Sequence, residues 1–177
     1  MGRYFDELKR SMEFLAEDSR TVFLGQAVGC PGTFMYGTLE GVPAERRLEF
    51  PVCESFQMQF SLGLALNGSI PVCIYPRQNF MLLASSDLAN MVDKMSAISD
   101  GMINPHMIIR VAAGTTRPIH PGHQHVGNFA DAFRSLFTTI KVVELQEPSD
   151  IFPAYLNALE HNGPTLLIEF GDFIGEK

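Results

Sequence analysis

Short and almost wholly apolar runs recur along the chain at Thr21-Val22-Phe23-Leu24-Gly25, Ile70 to Tyr75, Met107 to Val111 and Thr165 to Ile168. Runs of strand length with so little polar surface suit strands covered on both faces, and a parallel sheet flanked by helices is the architecture that covers them. The segments between them have helical spacing. Phe5, Leu8, Met12 and Leu15 make a stripe over Tyr4 to Leu15, and Glu54 to Leu66 reads as a helix ended by Asn67-Gly68. Asn79 to Ile98 reads as one longer helix, Asn128 to Phe137 as another, and Asp150 to His161 as a third, capped by Ser149. Arg47 to Val52 and Lys141 to Glu144 add two further strands, while Gly29 to Pro43 and Ala112 to His125 read as loops. The expected fold is α/β: a single domain over residues 1–177, a three-layer sandwich with a mostly parallel sheet and helices on both faces. Ligands of such sheets gather at the carboxyl ends of the strands. Glu54, Phe80 and the loop ending in His125 each follow a strand, so one edge is expected to collect all three.

Composition narrows the function classes. With 46% apolar and 19% charged residues the chain supports a proper core, and its net charge of -7 without a Lys/Arg cluster argues against nucleic acid or an anionic membrane surface as partner. No apolar run approaches the roughly 20 residues of a membrane helix. The start Met1-Gly2-Arg3-Tyr4-Phe5-Asp6-Glu7 lacks a signal-peptide pattern, so a cytoplasmic protein is expected. Cys30, Cys53 and Cys73 are odd in number and form no CxxC pair; they are expected to be small buried thiols rather than a disulfide framework or a zinc site.

Phe50-Pro51-Val52-Cys53-Glu54-Ser55-Phe56 places one acid at the mouth of an apolar segment. Phe56, Met58, Phe60, Leu62, Leu64 and Leu66 make the following helix apolar almost all round, as for a helix buried in a core or an interface. Desolvation there favours the neutral acid and the helix amino terminus favours the anion. A carboxyl held between these effects can share a proton with a ligand nitrogen, although the position also reads as an ordinary first-turn Glu facing solvent. His120, His123 and His125 spell His-x-x-His-x-His without an acid or Cys nearby, which fits a solvated loop better than a metal site. No metal site is expected within this chain.

Thr21 to Gly25, then Phe50-Pro51-Val52-Cys53-Glu54, then Gly63-Leu64-Ala65-Leu66-Asn67-Gly68, then Arg110 and Gly122-His123-Gln124-His125, taken in order, resemble the pyrimidine-binding domain of thiamine-diphosphate enzymes. The likeness is to the beta subunits of 2-oxo-acid dehydrogenase decarboxylating components and to the matching transketolase domain, and it runs on through Lys141-Val142-Val143 and Pro164 to Glu169. The resemblance implies the thiamine-diphosphate-binding fold. It implies that Glu54 hydrogen-bonds a ring nitrogen of the cofactor's aminopyrimidine and so promotes activation of the thiazolium carbon, which then attacks a carbonyl. Phe80 aligns with an aromatic that stacks on the pyrimidine, and also reads as an ordinary core Phe. His125 aligns with a His that binds substrate and helps protonate developing oxyanions, with His123 as the alternative if the register is two residues off.

The chain also departs from that pattern. The family holds Mg2+ on the diphosphate with Gly-Asp-Gly and a later Asn, and this sequence offers only Ser99-Asp100-Gly101 ahead of Asn128, and Gly171-Asp172-Phe173 near its end. The diphosphate-binding half and its Mg2+ are therefore expected on a separate alpha-type subunit, in an α2β2 assembly, and the further carboxyl-terminal domain of the beta subunits is not expected here. Where those subunits often carry two acids after Leu-Gly, this chain has Gln26-Ala27, and an amide cannot relay charge as a carboxylate does. The expected function is the pyrimidine-binding subunit of a split enzyme acting on a 2-oxo acid or ketose, by decarboxylation with acyl or ketol transfer or by carboligation. A noncatalytic interaction subunit that lost the cofactor, and a self-contained flavodoxin-like binding domain, are the other readings of the same residues.

Overall fold

A computed structural model describes residues 3–114, 116–117 and 120–173 of the chain. The opening Met1-Gly2 and positions 115, 118 and 119 of the expected Ala112 to His125 loop lie outside the described residues. Six strands, β1 (Thr21–Gly25), β2 (Arg47–Glu49), β3 (Ile70–Tyr75), β4 (Met107–Ala113), β5 (Lys141–Leu145) and β6 (Pro164–Phe170), form one sheet in the order β2-β1-β3-β4-β6-β5. Every pairing is parallel. β3 and β4 are buried at every position, which is why their sequences carry no alternation.

The helices are α1 (Arg3–Leu15), α2 (Phe34–Thr38), α3 (Glu54–Leu66), α4 (Gln78–Met81), α5 (Ser85–Asp87), α6 (Met95–Ile98), α7 (Ala130–Leu136) and α8 (Pro148–Glu160). Tyr4 and Leu8 of α1 and Tyr155 of α8 pack on Phe23, Val72 and Leu167 at one face of the sheet. Met58 of α3, Met81 of α4 and Phe133 of α7 pack on Cys73, Ile109 and Ile168 at the other. The expected three-layer α/β sandwich is the fold observed, with a sheet that is entirely parallel. Among the described residues no helix is long and apolar enough to cross a membrane.

Several local expectations need correction. The segment expected as one helix from Asn79 to Ile98 is broken into α4, α5 and α6 by a 3-10 turn at Leu82–Ala84 and a π turn at Leu88–Val92. That π turn delivers Asp93, fully buried, to the N–H groups of Thr138, Thr139 and Ile140 at 2.8, 2.7 and 3.0 Å. The expected Gly29 to Pro43 loop contains α2, capped by Thr33 and pinned by Met35, Leu39 and Val42 in the core. β2 stops at Glu49 rather than Val52, and α8 begins at Pro148 after Glu147, so Ser149 lies inside the helix and does not cap it. Of the cysteines only Cys73 is buried; Cys30 and Cys53 are exposed because one sits in a loop and the other ahead of α3.

α3 is not buried all round. Its inner face carries Gln57 and Ser61 beside Met58 and Leu62, with Gln57 Nε2 donating to the Ile74 carbonyl at 2.9 Å. Phe56 and Phe60 point outward at 49% and 39% exposure, and Phe50 packs on both at ring separations of 5.6 and 5.1 Å.

Arg110 of β4 and Glu169 of β6 form a fully buried bidentate pair, Nε to Oε1 at 2.6 Å and Nη2 to Oε2 at 3.0 Å, with the Tyr155 hydroxyl also donating to Oε1. Removing one partner strands the other charge away from water. Glu169→Gln is expected to lower stability by about 3–5 kcal/mol in urea unfolding; a loss below about 1 kcal/mol would show that the pair is not the anchor its burial implies. Burial works against the charge of Asp93, yet Lys94 and the donors at Thr139, Ile140 and Thr138 hold its pKa below the usual carboxylate range. A depressed folded-state pKa contributes stability above the unfolded value of about 4 that is lost as pH falls below it. The stability gap between the native chain and Asp93→Asn should therefore be constant near neutrality and shrink below about pH 4.

Candidate functional site

The site is assembled at the carboxyl edge of the sheet, and Gly25 sets its first wall. At φ +148° it ends β1, and a side chain there would meet the Ile74 carbonyl at 2.1 Å, so only glycine lets the two strands close at this point. The next residue, Gln26, is 7% exposed. Beyond it the turn is held from β2: the Glu49 carboxylate accepts the N–H groups of Ala27 at 2.9 Å and Gly29 at 2.6 Å, with Ala27 at φ 62°.

Glu54 opens α3, and its side chain does not cap the helix. Its Oε1 accepts a hydrogen bond from Gln26 Nε2 at 3.2 Å, and the residue is 5% exposed, which excludes the solvent-facing first-turn carboxylate. The Tyr75 hydroxyl, at the end of β3, donates to the Glu54 carbonyl at 2.9 Å and fixes the start of the helix against the sheet. Burial, with Cys73 beside it, pushes the Tyr75 pKa far up, so that hydroxyl is a permanent donor. No charged partner neutralises Glu54 among the described residues.

The second wall joins the segment after β3 to the loop after β4. Gln78 of α4 is fully buried: its amide donates to Asn128 Oδ1 at 3.3 Å and its Oε1 accepts the Phe129 N–H. Arg77 donates to the His125 carbonyl at 3.1 Å, and burial lowers its pKa. These contacts set the His125 ring against Phe80, edge to face, at a centroid separation of 5.5 Å. His125 Nδ1 and Asn79 Oδ1 are buried without a protein partner among the described residues.

Phe80 and His125 are thus brought together, while the Glu54 hydrogen bonds run to Gln26 and Tyr75 instead. His123 is exposed and its ring lies 5.7 Å from that of His120. Among the described residues no group of three or more His, Cys, Asp or Glu side chains is placed to hold a metal ion. Of the two near-matches to a magnesium motif, Asp100 sits in a turn at φ 51°, and Asp172 accepts the N–H groups of Thr116 at 2.6 Å and Arg117 at 2.9 Å as an anchor for the loop after β4. Gln78, Arg77 and the donor role of Gln26 were not foreseen. The signal for Gln26 was its place directly after Leu24-Gly25 at a strand end; Gln78 and Arg77 carry none without the loop they bind, some 50 residues away.

No protein-family model matches the sequence. Over 170 residues the chain is 25% identical to a pyruvate dehydrogenase E1 component subunit beta from Chlorokybus atmophyticus, covering 93% of this chain and 50% of that protein. Over 169 residues it is 24% identical to a mitochondrial 2-oxoisovalerate dehydrogenase subunit beta from Dictyostelium discoideum, covering 93% and 45%. The chain spans about half the length of the curated relatives it matches. Among solved structures it superposes on a split-gene transketolase, described as an inactive beta4 tetramer, with a TM-score of 0.70 at 16% identity over 94% of this chain and 51% of the other. In sequence over nearly its whole length the chain is similar to beta subunits of 2-oxo-acid dehydrogenases, and in fold to a split-gene transketolase, the two groups that its ordered sequence segments resemble.

Proposed function

We propose that this chain is the pyrimidine-binding, beta-type subunit of a split thiamine-diphosphate enzyme. Glu54 carries the reading: an acid buried at a helix amino terminus, held by one neutral amide and by no cation among the described residues. The cofactor is an electron sink for carbonyl chemistry, able to cleave or form a carbon-carbon bond next to a 2-oxo acid or ketose carbonyl. The corner fits its aminopyrimidine. Glu54 Oε2 lies outside the Gln26 bond, Phe80 offers an aromatic surface, and the buried, unpartnered Asn79 Oδ1 and His125 Nδ1 are polar atoms that a nitrogen heterocycle or its substrate would satisfy.

In this reading Glu54 holds a proton at its free carboxylate oxygen and shares it with a ring nitrogen, and Phe80 packs on the ring. His125, locked by Arg77, orients a substrate oxygen and supplies or takes its proton near neutral pH. His123, exposed on the same loop, is the alternative to His125 for that role. The diphosphate and its Mg2+ fall to a separate alpha-type subunit carrying Gly-Asp-Gly, in an α2β2 assembly, with residues 1–177 as one pyrimidine-binding domain. The outward aromatic face of Phe50, Phe56 and Phe60 supports a partner there, since covering the exposed half of one such ring contributes roughly 1 kcal/mol. The inactive beta4 tetramer of the neighbouring structure supports dependence on that partner for activity. Exposed free Cys30 and Cys53 suit the reducing cytoplasm.

Glu54→Gln, measured in a complex reconstituted with a diphosphate-binding chain, should keep assembly while turnover falls about 100-fold or more. Calorimetry should show thiamine diphosphate uptake by the native complex. The rival reading, an interaction subunit without cofactor, requires the opposite: no uptake and no effect of Glu54→Gln on any activity of the complex.

A further inference from the structure

Arg77 stands at the candidate site with one edge of its guanidinium unused. Its backbone is extended ahead of α4, at φ -149° and ψ 147°, and its carbonyl accepts the Phe80 N–H at 3.1 Å. At the far end of the side chain, Nη1 donates to the His125 carbonyl at 3.1 Å. The guanidinium is thus tied to both Phe80 and His125, whose rings meet at 5.5 Å. Nε and Nη2 form its other edge, and among the described residues they donate to no protein group. Arg77 is only partly buried and neither atom is sealed from water, so that edge is open to a ligand.

Elsewhere in the chain the same edge grips a carboxylate. Arg110 sets Nε and Nη2 on the two oxygens of Glu169 at 2.6 and 3.0 Å, and Arg20 sets them on those of Asp18 at 3.0 and 2.6 Å. A flat fork of two N–H groups matches two oxygens of one anion. Among the described residues no carboxylate pairs with Arg77. Glu144 reaches the same wall through Asn128, but its other oxygen is taken by Arg134 at 2.7 Å. Burial lowers the Arg77 pKa and no acid of the protein offsets that effect, while a guanidinium keeps its proton at any working pH. A partly desolvated cation with a free fork is matched by an anion brought in from outside.

We propose that Arg77 sets the substrate class: its Nε–Nη2 edge holds the anionic group of a charged carbonyl substrate, a carboxylate or a phosphate, beside His125. The inference rests on the function proposed above and narrows its 2-oxo acid or ketose to substrates that carry an anion. An uncharged ketose would leave the fork empty.

Pyruvate, dihydroxyacetone phosphate and uncharged hydroxyacetone are the probes, titrated into the full chain without cofactor and followed by NMR at the Arg77 Nε–H and at the Phe80 and His125 amides. Saturable shifts are expected with pyruvate, with dihydroxyacetone phosphate or with both, and none with hydroxyacetone. Saturation by pyruvate alone assigns the fork to a carboxylate, and saturation by dihydroxyacetone phosphate alone assigns it to a phosphate. Arg77→Lys keeps the charge and a donor for the His125 carbonyl but loses the fork, and should weaken anion binding about tenfold; Arg77→Gln keeps only the donor and should weaken it further. A purely structural Arg77 would leave the affinity unchanged in both variants, since each can still tie the loop. Arg77→Gln binding as tightly as the native chain, hydroxyacetone matching the anions, or no saturable shift at the Arg77 Nε–H would each overturn the proposal. The titration needs no thiamine diphosphate, so its failure and a failure of cofactor uptake by the reconstituted complex are separate results.

Discussion

Burial of the central strands on both faces is the constraint from which the rest follows. β3 and β4 present no position to water, so polar groups are pushed to the strand ends, where the chain turns and loops can be solvated. At the carboxyl ends this collects Gln26 after β1, Arg77 and Gln78 after β3, and the His125 loop after β4. The exception within the sheet is the pair Arg110 and Glu169, tolerated because the Glu169 carboxylate on neighbouring β6 satisfies two of the Arg110 donors at once. Arg110 Nη1 remains without a protein partner among the described residues.

The fold was largely legible because its signal is local. Ile70 to Tyr75 and Glu54 to Leu66 match β3 and α3 to the residue, since a buried strand shows as an unbroken apolar run and a helix end as Asn-Gly. The segment from Asn79 to Ile98 misled for the opposite reason. Its spacing is helical, but the π turn exists to serve Asp93, whose partners lie some 45 residues further on. α3 misled by composition: apolar content alone cannot say which side faces the sheet, and here Gln57, whose amide reaches the Ile74 carbonyl, claims the inner face and turns Phe56 and Phe60 outward.

The candidate site shows the same division. From spacing alone Glu54 stayed open between a buried acid and a solvent-facing first-turn Glu, and its burial follows from the turn at Gly25 and the bond from Tyr75. The Phe80–His125 contact was legible only as a common edge. The residues that create it, Gln78 and Arg77, act on the backbone of a distant loop, and a Gln or Arg in sequence carries no mark of such a partner.

Among the described residues two glutamates are buried, Glu54 and Glu169, and their surroundings differ. Glu169 is gripped by a guanidinium through two hydrogen bonds and by the Tyr155 hydroxyl, so its charge is balanced within the protein and its oxygens are occupied. Glu54 has one bond, from a neutral amide, beside a helix amino terminus. An amide can orient a carboxyl but cannot neutralise it, and it cannot exchange a proton with it either. A proton moving at Glu54 must therefore come from or go to something outside this pair. A buried acid arranged in that way is suited to a ligand's nitrogen, whereas an acid clamped like Glu169 is suited only to holding two strands together.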